Sequence, residues 1–160
     1  MKKGIFVFFL MAALIVGLGY SKMFEKGGKY LTPQVGLNSY AIPVGVSFGF
    51  GITDNVEVGG SMLYLSWGDE LYNYAVVTPS AEAFYHFKVN VKNLDPFAGL
   101  NIGYYYFTGD LGSFSSGLFL SPFVGARYYF SPKTAAMLKL YFSAGQLSGV
   151  GFVGGVTFQI

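Results

Sequence analysis

The segment from Ala41 to Ile52 alternates large and small residues without interruption. Its even positions carry Ile, Val or Phe, and its odd positions carry Ala, Pro, Gly or Ser. Successive side chains of a β-strand point to opposite faces. The pattern therefore predicts a strand with one large apolar face and one nearly bare face.

Seven further stretches show comparable length and alternation, so the sequence predicts eight strands. Their expected ranges are 29–38, 41–52, 55–66, 76–89, 96–107, 117–130, 134–144 and 149–160. Each range is near or above the roughly 9–11 residues with which a tilted strand crosses a bilayer. The ranges 67–75 and 108–116 are expected to be medium-length loops on one side of the membrane.

The ionisable residues inside these strands fall on the parity opposite to the apolar face. Chance would place all six there about one time in sixty-four if the two faces were equivalent; they are Glu57, Glu82, His86, Lys88, Arg127 and Lys139. A Lys or Arg that faces lipid at the bilayer midplane costs roughly 2–4 kcal/mol. The apolar face is therefore expected to contact lipid, and the charged face to line a lumen.

These patterns predict an all-β fold, an eight-stranded antiparallel up-and-down transmembrane β-barrel, apolar outside with a polar, packed lumen. Lys29 shares the outward parity, but it starts the first strand, where a rim position stays wet. The composition agrees, because only 11% of residues are charged against a usual share of about 25%. Inward rings such as Phe84 and Phe123 are expected to face inward glycines and fill the interior.

The N-terminal segment, the charge balance and the cysteine count further restrict the class of protein. Lys2, Lys3 and the apolar run Ile5–Val16 predict a secretory signal peptide over residues 1–19, followed by a short polar leader (20–28) and the barrel domain (29–160). Beyond the two lysines, eight basic residues balance eight acidic ones, so no nucleic-acid surface is expected. The chain has no cysteine, which excludes a thiolate metal site, and no cofactor is expected.

The strand count, the alternation and the closing strand Gly-Gly-Val-Thr-Phe-Gln-Ile resemble the small eight-stranded outer-membrane barrels of the OmpA and OmpX type. In that family the last strand usually ends in an aromatic residue, whereas here Phe158 lies two places before the final Ile160. The resemblance implies export to the outer membrane of a Gram-negative-type cell. It also implies membrane lipids and the outer-membrane assembly machinery as partners, and a monomer. It implies no particular ligand.

The charges expected in the lumen must pair, because unpaired charges in a confined space are costly. We expect Glu82 to lie between Arg127 and Lys139, and Glu57 to pair with Lys88 across the third and fourth strands. The favoured interpretation is a structural network that plugs the lumen. An ion path or gate is the alternative interpretation of the same residues.

Two expected loops offer candidate recognition residues, because exposed aromatics on loops can anchor a partner. They are Trp67, Asp69, Glu70, Tyr72 and Tyr74 in the first loop and Phe114 in the second. His86 is the single histidine, and with Ser80 and Glu82 it forms no hydrolase motif, so no enzyme is predicted. The sequence thus favours a non-catalytic structural or surface barrel with a mostly plugged lumen. The alternatives are a narrow porin-like channel for small solutes and a surface adhesin or ligand-binding barrel.

Overall fold

A computed structural model describes residues 24–39, 41–68, 73–109, 112–145 and 148–160. Each strand in these ranges pairs antiparallel with its neighbour in sequence, and the last strand pairs with the first to close a barrel. The strands are β1 (Lys29–Asn38), β2 (Val44–Gly51), β3 (Val56–Gly68), β4 (Asn73–His86), β5 (Leu94–Gly109), β6 (Gly112–Ser131), β7 (Thr134–Gly145) and β8 (Gly149–Gln159). The predicted fold class is confirmed.

The two faces of the strands divide as the alternation predicts. In β2, Phe48 is 45% exposed on the outside, whereas its neighbour Ser47 is 8% exposed on the inside. The same division recurs in β7, where Leu138 is 59% exposed and Lys139 is 4% exposed. Lys29 is exposed at the start of β1, as expected for a rim position.

The bounds of β4 and β5 differ from the prediction, and this changes two charged residues. β4 ends at His86, so Lys88 lies beyond the strand and is exposed. The expected luminal position of Lys88 is therefore wrong, because strand parity fixes a side chain's direction only while the chain remains in the ladder. β5 begins at Leu94, which places Asp95 on the inner face, where it is 3% exposed.

Most of the two ranges expected as loops continues the strands. The β3–β4 ladder reaches Gly68 paired with Asn73, and the β5–β6 ladder reaches Gly109 paired with Gly112. Backbone pairing extends through these segments because a ladder joins peptide groups and needs no particular side chain. Asp69, Glu70 and Tyr72 lie outside the described residues, as do the side chains of Trp67 and Phe114. Tyr74 lies in β4, with its ring centroid 5.9 Å from that of Phe107.

The N-terminal residues 1–23, which include the predicted signal peptide 1–19, also lie outside the described residues. No helix in the described part of the chain is long and apolar enough to cross a membrane.

Aromatic rings in the lumen lie over glycines of the adjacent strand. Four such pairs follow one another along β5 and β6, and a fifth joins β7 and β8: Phe97–Gly125, Gly99–Phe123, Gly103–Phe119, Tyr105–Gly117 and Tyr141–Gly151. Bare backbone next to each ring leaves room for the ring in a barrel whose interior is just wide enough for side chains. The expected match of inward rings with inward glycines is confirmed at Phe123, whose ring lies against Gly99.

Gly125→Ala should destabilise the barrel, because a Cβ at this position would lie 2.6 Å from Cζ of Phe97 and would also meet the backbone oxygen of Leu138. We expect the free energy of unfolding, measured by denaturant titration of the protein in lipid, to fall by about 1–3 kcal/mol. Gly154→Ala is the matched control, since its Cβ would meet only Met137 O at 3.7 Å. Similar losses from both variants would contradict the role of the ring–glycine pairs.

Candidate functional site in the barrel lumen

Four ionisable side chains meet at the end of the lumen where β1 begins. We call this group the basal cluster: Glu57 of β3, His86 of β4, Asp95 of β5 and Arg127 of β6. Asp95 and Arg127 are direct partners in the β5–β6 ladder. All four side chains are at least nine-tenths buried, so the cluster lies inside the barrel and away from solvent.

The Arg127 guanidinium and the Glu57 carboxylate form a two-point ion pair across the lumen. Nη1 donates to Oε2 at 2.6 Å, and Nη2 donates to Oε1 at 3.0 Å. β3 and β6 are not neighbours in the barrel, so the pair bridges the interior. Two-point arginine–carboxylate contacts are among the stronger hydrogen-bonded pairs, which offsets part of the cost of removing both charges from water.

His86 connects this pair to a second carboxylate. Its Nδ1 lies 2.9 and 3.0 Å from the two oxygens of Asp95. Its Nε2 lies 3.3 Å from Glu57 Oε2, within ion-pair distance but without the alignment of a hydrogen bond. The alternation does not reveal Asp95, because this residue lies between the predicted strands 76–89 and 96–107.

Phe24 closes the basal end of the lumen. Its ring stacks on the His86 ring, with centroids 3.9 Å apart and planes 1° apart, and it is 8% exposed. The segment that carries it is held to β2 by the hydrogen bonds Gly27 N to Gly51 O and Gly51 N to Gly28 O. The last part of the expected polar leader therefore packs against the barrel. Phe24 is the one aromatic residue among the described leader residues, and an apolar ring in a polar segment is the sequence feature that indicates this packing.

An aromatic layer lies next to the basal cluster and is formed by Phe84, Phe97 and Phe123. The ring centroid of Phe84 lies 5.3 Å from that of Phe97 and 4.8 Å from that of Phe123. The Phe84 ring also contacts two cations, with the Arg127 guanidinium 5.6 Å and the Lys139 ammonium 5.8 Å from its centroid. Cation–π contacts of this kind are attractive and strengthen when the cation is desolvated.

A second ion pair crosses the lumen beyond this layer, between Glu82 of β4 and Lys139 of β7. Lys139 Nζ donates to Glu82 Oε1 at 2.7 Å, and Asn101 Nδ2 donates to the same oxygen at 3.2 Å. The structure thus contains the Glu82–Lys139 pairing proposed from the sequence. The proposed contact of Glu82 with Arg127 is wrong, because Arg127 pairs with Glu57. The proposed pairing of Glu57 with Lys88 is wrong because Lys88 is exposed outside the lumen.

No group of three or more His, Cys, Asp or Glu side chains within the described ranges is arranged to hold a metal ion. The lumen contains a cavity of about 250 Å³. It lies beyond the Glu82–Lys139 pair, on the side of the β1–β2 and β7–β8 connections. The lumen therefore has two parts, a charged and aromatic basal part filled by side chains and a part that contains open space.

Comparison with known proteins identifies the fold. No protein-family profile matches the chain, and no curated protein sequence matches it significantly. Among solved structures, it is similar to the N-terminal β-barrel domain of OprF from Pseudomonas aeruginosa (24% identity, 84% of this chain and 98% of that chain, TM-score 0.64). It is also similar to Neisserial surface protein A (13%, 83% and 95%, 0.61) and to the outer membrane protein OprG from Pseudomonas aeruginosa (11%, 86% and 98%, 0.59).

These identities are low, so the likeness concerns the fold. The chain has the architecture of the small eight-stranded transmembrane barrels, and the resemblance to this group drawn from the sequence is confirmed. A barrel fold by itself assigns no activity, so the function must be argued from the lumen and the surface.

Glu57→Gln should destabilise the protein strongly, because it leaves the buried Arg127 guanidinium without its counter-charge. Breaking a buried pair from one side typically costs about 3–5 kcal/mol, and we expect a loss of this size in the free energy of unfolding in lipid. Asp54→Asn removes a carboxylate that is exposed on the β2–β3 turn and should change stability by less than about 0.5 kcal/mol. Equal small losses in the two variants would show that the pair contributes little.

Proposed function

We propose that this protein is an outer-membrane barrel with a structural or surface role, a lumen closed to solutes and no catalytic activity. The location is supported by the belt of exposed apolar side chains around the barrel and by the folds it resembles, one of which is described as an outer membrane protein. Contact with membrane lipids follows from the same belt. Recognition by the assembly machinery and a monomeric state remain predictions from the family resemblance.

The lipid-facing belt is tested with two variants that each place an arginine on the outer surface, one near the middle of the membrane and one near its edge. Leu138 faces outward near the middle of β7, and Ile160 follows the end of β8. Leu138→Arg should lower the stability of the folded barrel in a bilayer by about 2–4 kcal/mol, and Ile160→Arg by about 0–1 kcal/mol, because the cost of a lipid-facing charge depends on depth. Refolding titrations in vesicles measure both, and a tolerated Leu138→Arg would contradict the membrane location.

The observation that carries the closed lumen is the sequence of contacts across it. The Arg127–Glu57 and Glu82–Lys139 pairs each join non-neighbouring strands across the lumen, and the aromatic layer packs in one cluster with Met137 of β7 and Val153 of β8. A continuous water path would require at least two buried ion pairs to separate, and exposing one partner of such a pair is costly. These contacts support a plug more strongly than the alternative of a narrow channel.

The surface role is supported by the length of one hairpin. β5 has 16 residues and β6 has 20, whereas roughly 9–11 residues suffice to cross the bilayer. The β5–β6 hairpin therefore extends beyond the membrane. This length favours surface recognition as the second candidate function. We propose that recognition takes place at the end of this hairpin, within the range 108–116.

The environment of His86 supports a non-catalytic protein. Its two ring nitrogens face the carboxylates of Asp95 and Glu57, one face of its ring is covered by Phe24, and it is 3% exposed. A histidine that acts as a general base needs a hydrogen-bonded nucleophile or water and access to substrate. The contacts around His86 instead hold it within the basal cluster.

Planar-bilayer recording of the refolded protein tests the closed lumen. We expect no discrete conductance steps, because the cross-lumen pairs and the aromatic layer leave no continuous path. A larger porin in the same bilayers establishes that the recording detects open channels, and gel mobility confirms that the barrel has folded. Reproducible steps from the folded protein would overturn the plug and make Glu82, Arg127 and Lys139 candidates for ion selectivity.

A further inference from the structure

The cavity beyond the Glu82–Lys139 pair has apolar walls and a polar floor. Its walls include Leu65, Val76, Phe107 and Phe119, and its floor includes Asn101 and Lys139. Its volume is about 250 Å³. Since an apolar cavity of about 150 Å³ holds benzene, this one has room for a molecule of about ten non-hydrogen atoms.

The floor presents a buried acceptor without a partner. Asn101 is 9% exposed, its Nδ2 donates to Glu82 Oε1, and its Oδ1 has no hydrogen-bond partner. The orientation of this amide is fixed by chemistry, because a carboxylate oxygen only accepts and must face the NH₂ group. Most buried polar atoms in proteins are hydrogen-bonded. Other buried atoms of the described residues, such as Glu82 Oε2, also lack a partner, but Asn101 is the residue among them that lines the cavity.

The Lys139 ammonium group, a hydrogen-bond donor, lies next to the Asn101 amide. Lys139 Nζ and Asn101 Nδ2 both contact Glu82 Oε1, at 2.7 and 3.2 Å, so the ammonium and the amide are adjacent at the floor. An ammonium group carries three N–H donors, and Glu82 accepts one of them. The floor can therefore accept one hydrogen bond through Asn101 and give one through Lys139.

We propose that the cavity binds a neutral amphipathic molecule of about ten non-hydrogen atoms, with a hydroxyl group between Asn101 and Lys139 and its hydrocarbon part against the apolar walls. A hydroxyl both donates and accepts, so it complements both floor groups. The Glu82–Lys139 pair is already neutral, and an ionised head group would add a buried charge without a counter-charge. A neutral alcohol or phenol is thus favoured over a carboxylate or an amine.

The position of the cavity defines the route to it. Its lining includes Ser39 and Gly149, which lie at the ends of β1 and β8 beside the β1–β2 and β7–β8 connections. The opposite end is bounded by Lys139 and by Phe123 of the aromatic layer, and the basal cluster lies beyond them. A ligand would enter and leave from the loop side. The inference concerns binding in this half of the lumen and does not depend on whether the basal half conducts.

The probe for the first test is 2-phenylethanol, an aromatic alcohol of suitable size. The protein, labelled at Leu and Val methyl groups and at side-chain amides, is titrated in lipid nanodiscs and followed by NMR. We expect saturable shifts of the methyl resonances of Leu65 and Val76 and of the Asn101 amide. The methyl groups of Leu138, which faces lipid, serve as the reference for partition into the bilayer. Unsaturable shifts at both locations, or none at the cavity, would overturn the proposal and leave a cavity that holds water only.

The head-group preference is tested with four probes that share the phenyl ring. On the natural protein, phenylacetate and phenethylammonium should bind at least about tenfold more weakly than 2-phenylethanol, because burial disfavours the added charge. Asn101→Leu should weaken 2-phenylethanol by about three- to tenfold and leave ethylbenzene, which has no hydroxyl, unchanged or tighter. Tighter binding of phenylacetate, or equal losses for both neutral probes, would contradict a hydroxyl site at Asn101. The comparison of charged and neutral probes decides the question even if Asn101→Leu does not fold.

The location is tested by filling the cavity from one wall. Val76 lines it and is 1% exposed, whereas the next residue, Val77, has the outward parity of β4. Val76→Phe should abolish saturable binding of 2-phenylethanol, and Val77→Phe should preserve it, so the two variants form a matched pair. Binding that survives in a folded Val76→Phe protein would place the ligand elsewhere.

Discussion

The hydrocarbon interior of a bilayer offers no hydrogen-bond partner to a peptide group, so a chain of strands can span it only as a closed barrel. Here that closure is the pairing of β1 with β8. Closure divides every strand into a lipid face and a luminal face, and a charge is tolerated only on the second. The small circumference of eight strands then forces those charges into contact with one another. The cross-lumen pairs Arg127–Glu57 and Glu82–Lys139 are therefore a consequence of the membrane and of the strand number together.

The alternation of apolar and polar residues along the strands determines much of this fold, and the sequence alone shows it. The exposed Phe48 and buried Ser47 of β2, and the exposed Leu138 and buried Lys139 of β7, follow from parity alone. Strand ends are less visible, because Ser- and Gly-rich segments can pair through their backbone as readily as apolar ones. This is why the β5–β6 hairpin is longer than the sequence suggests. Between β4 and β5 the alternation continues past the end of the ladder at His86, so Lys88 lies outside the lumen, whereas β5 begins at Leu94 and places Asp95 inside.

The partners within the lumen could be predicted only in part, because parity gives the direction of a side chain but not its height. Heights depend on the stagger of the strands around the barrel, which a single sequence does not reveal. Opposite charge and a shared face predict the observed pairing of Glu82 with Lys139. The same criteria also place Arg127 beside Glu82, although the stagger brings it to Glu57. Phe24 was hidden for another reason, since it contacts His86 from a segment outside the strands.

The two halves of the lumen satisfy their polar groups in different ways, and this contrast separates structure from function. In the basal cluster the two carboxylates and two basic groups face one another, and Phe24 covers the end, so the geometry is explained by the requirement to neutralise buried charge. At the floor of the cavity the neutralisation is also complete, because Lys139 pairs with Glu82. The free oxygen of Asn101 is not needed for that neutralisation and lies beside open space lined by apolar side chains. The Nδ2 of Asn101 donates to Glu82, so an amide at position 101 is useful even in a closed lumen. Its Oδ1 makes no such contact, and in the site that we propose this oxygen accepts a hydrogen bond from the hydroxyl group of the ligand.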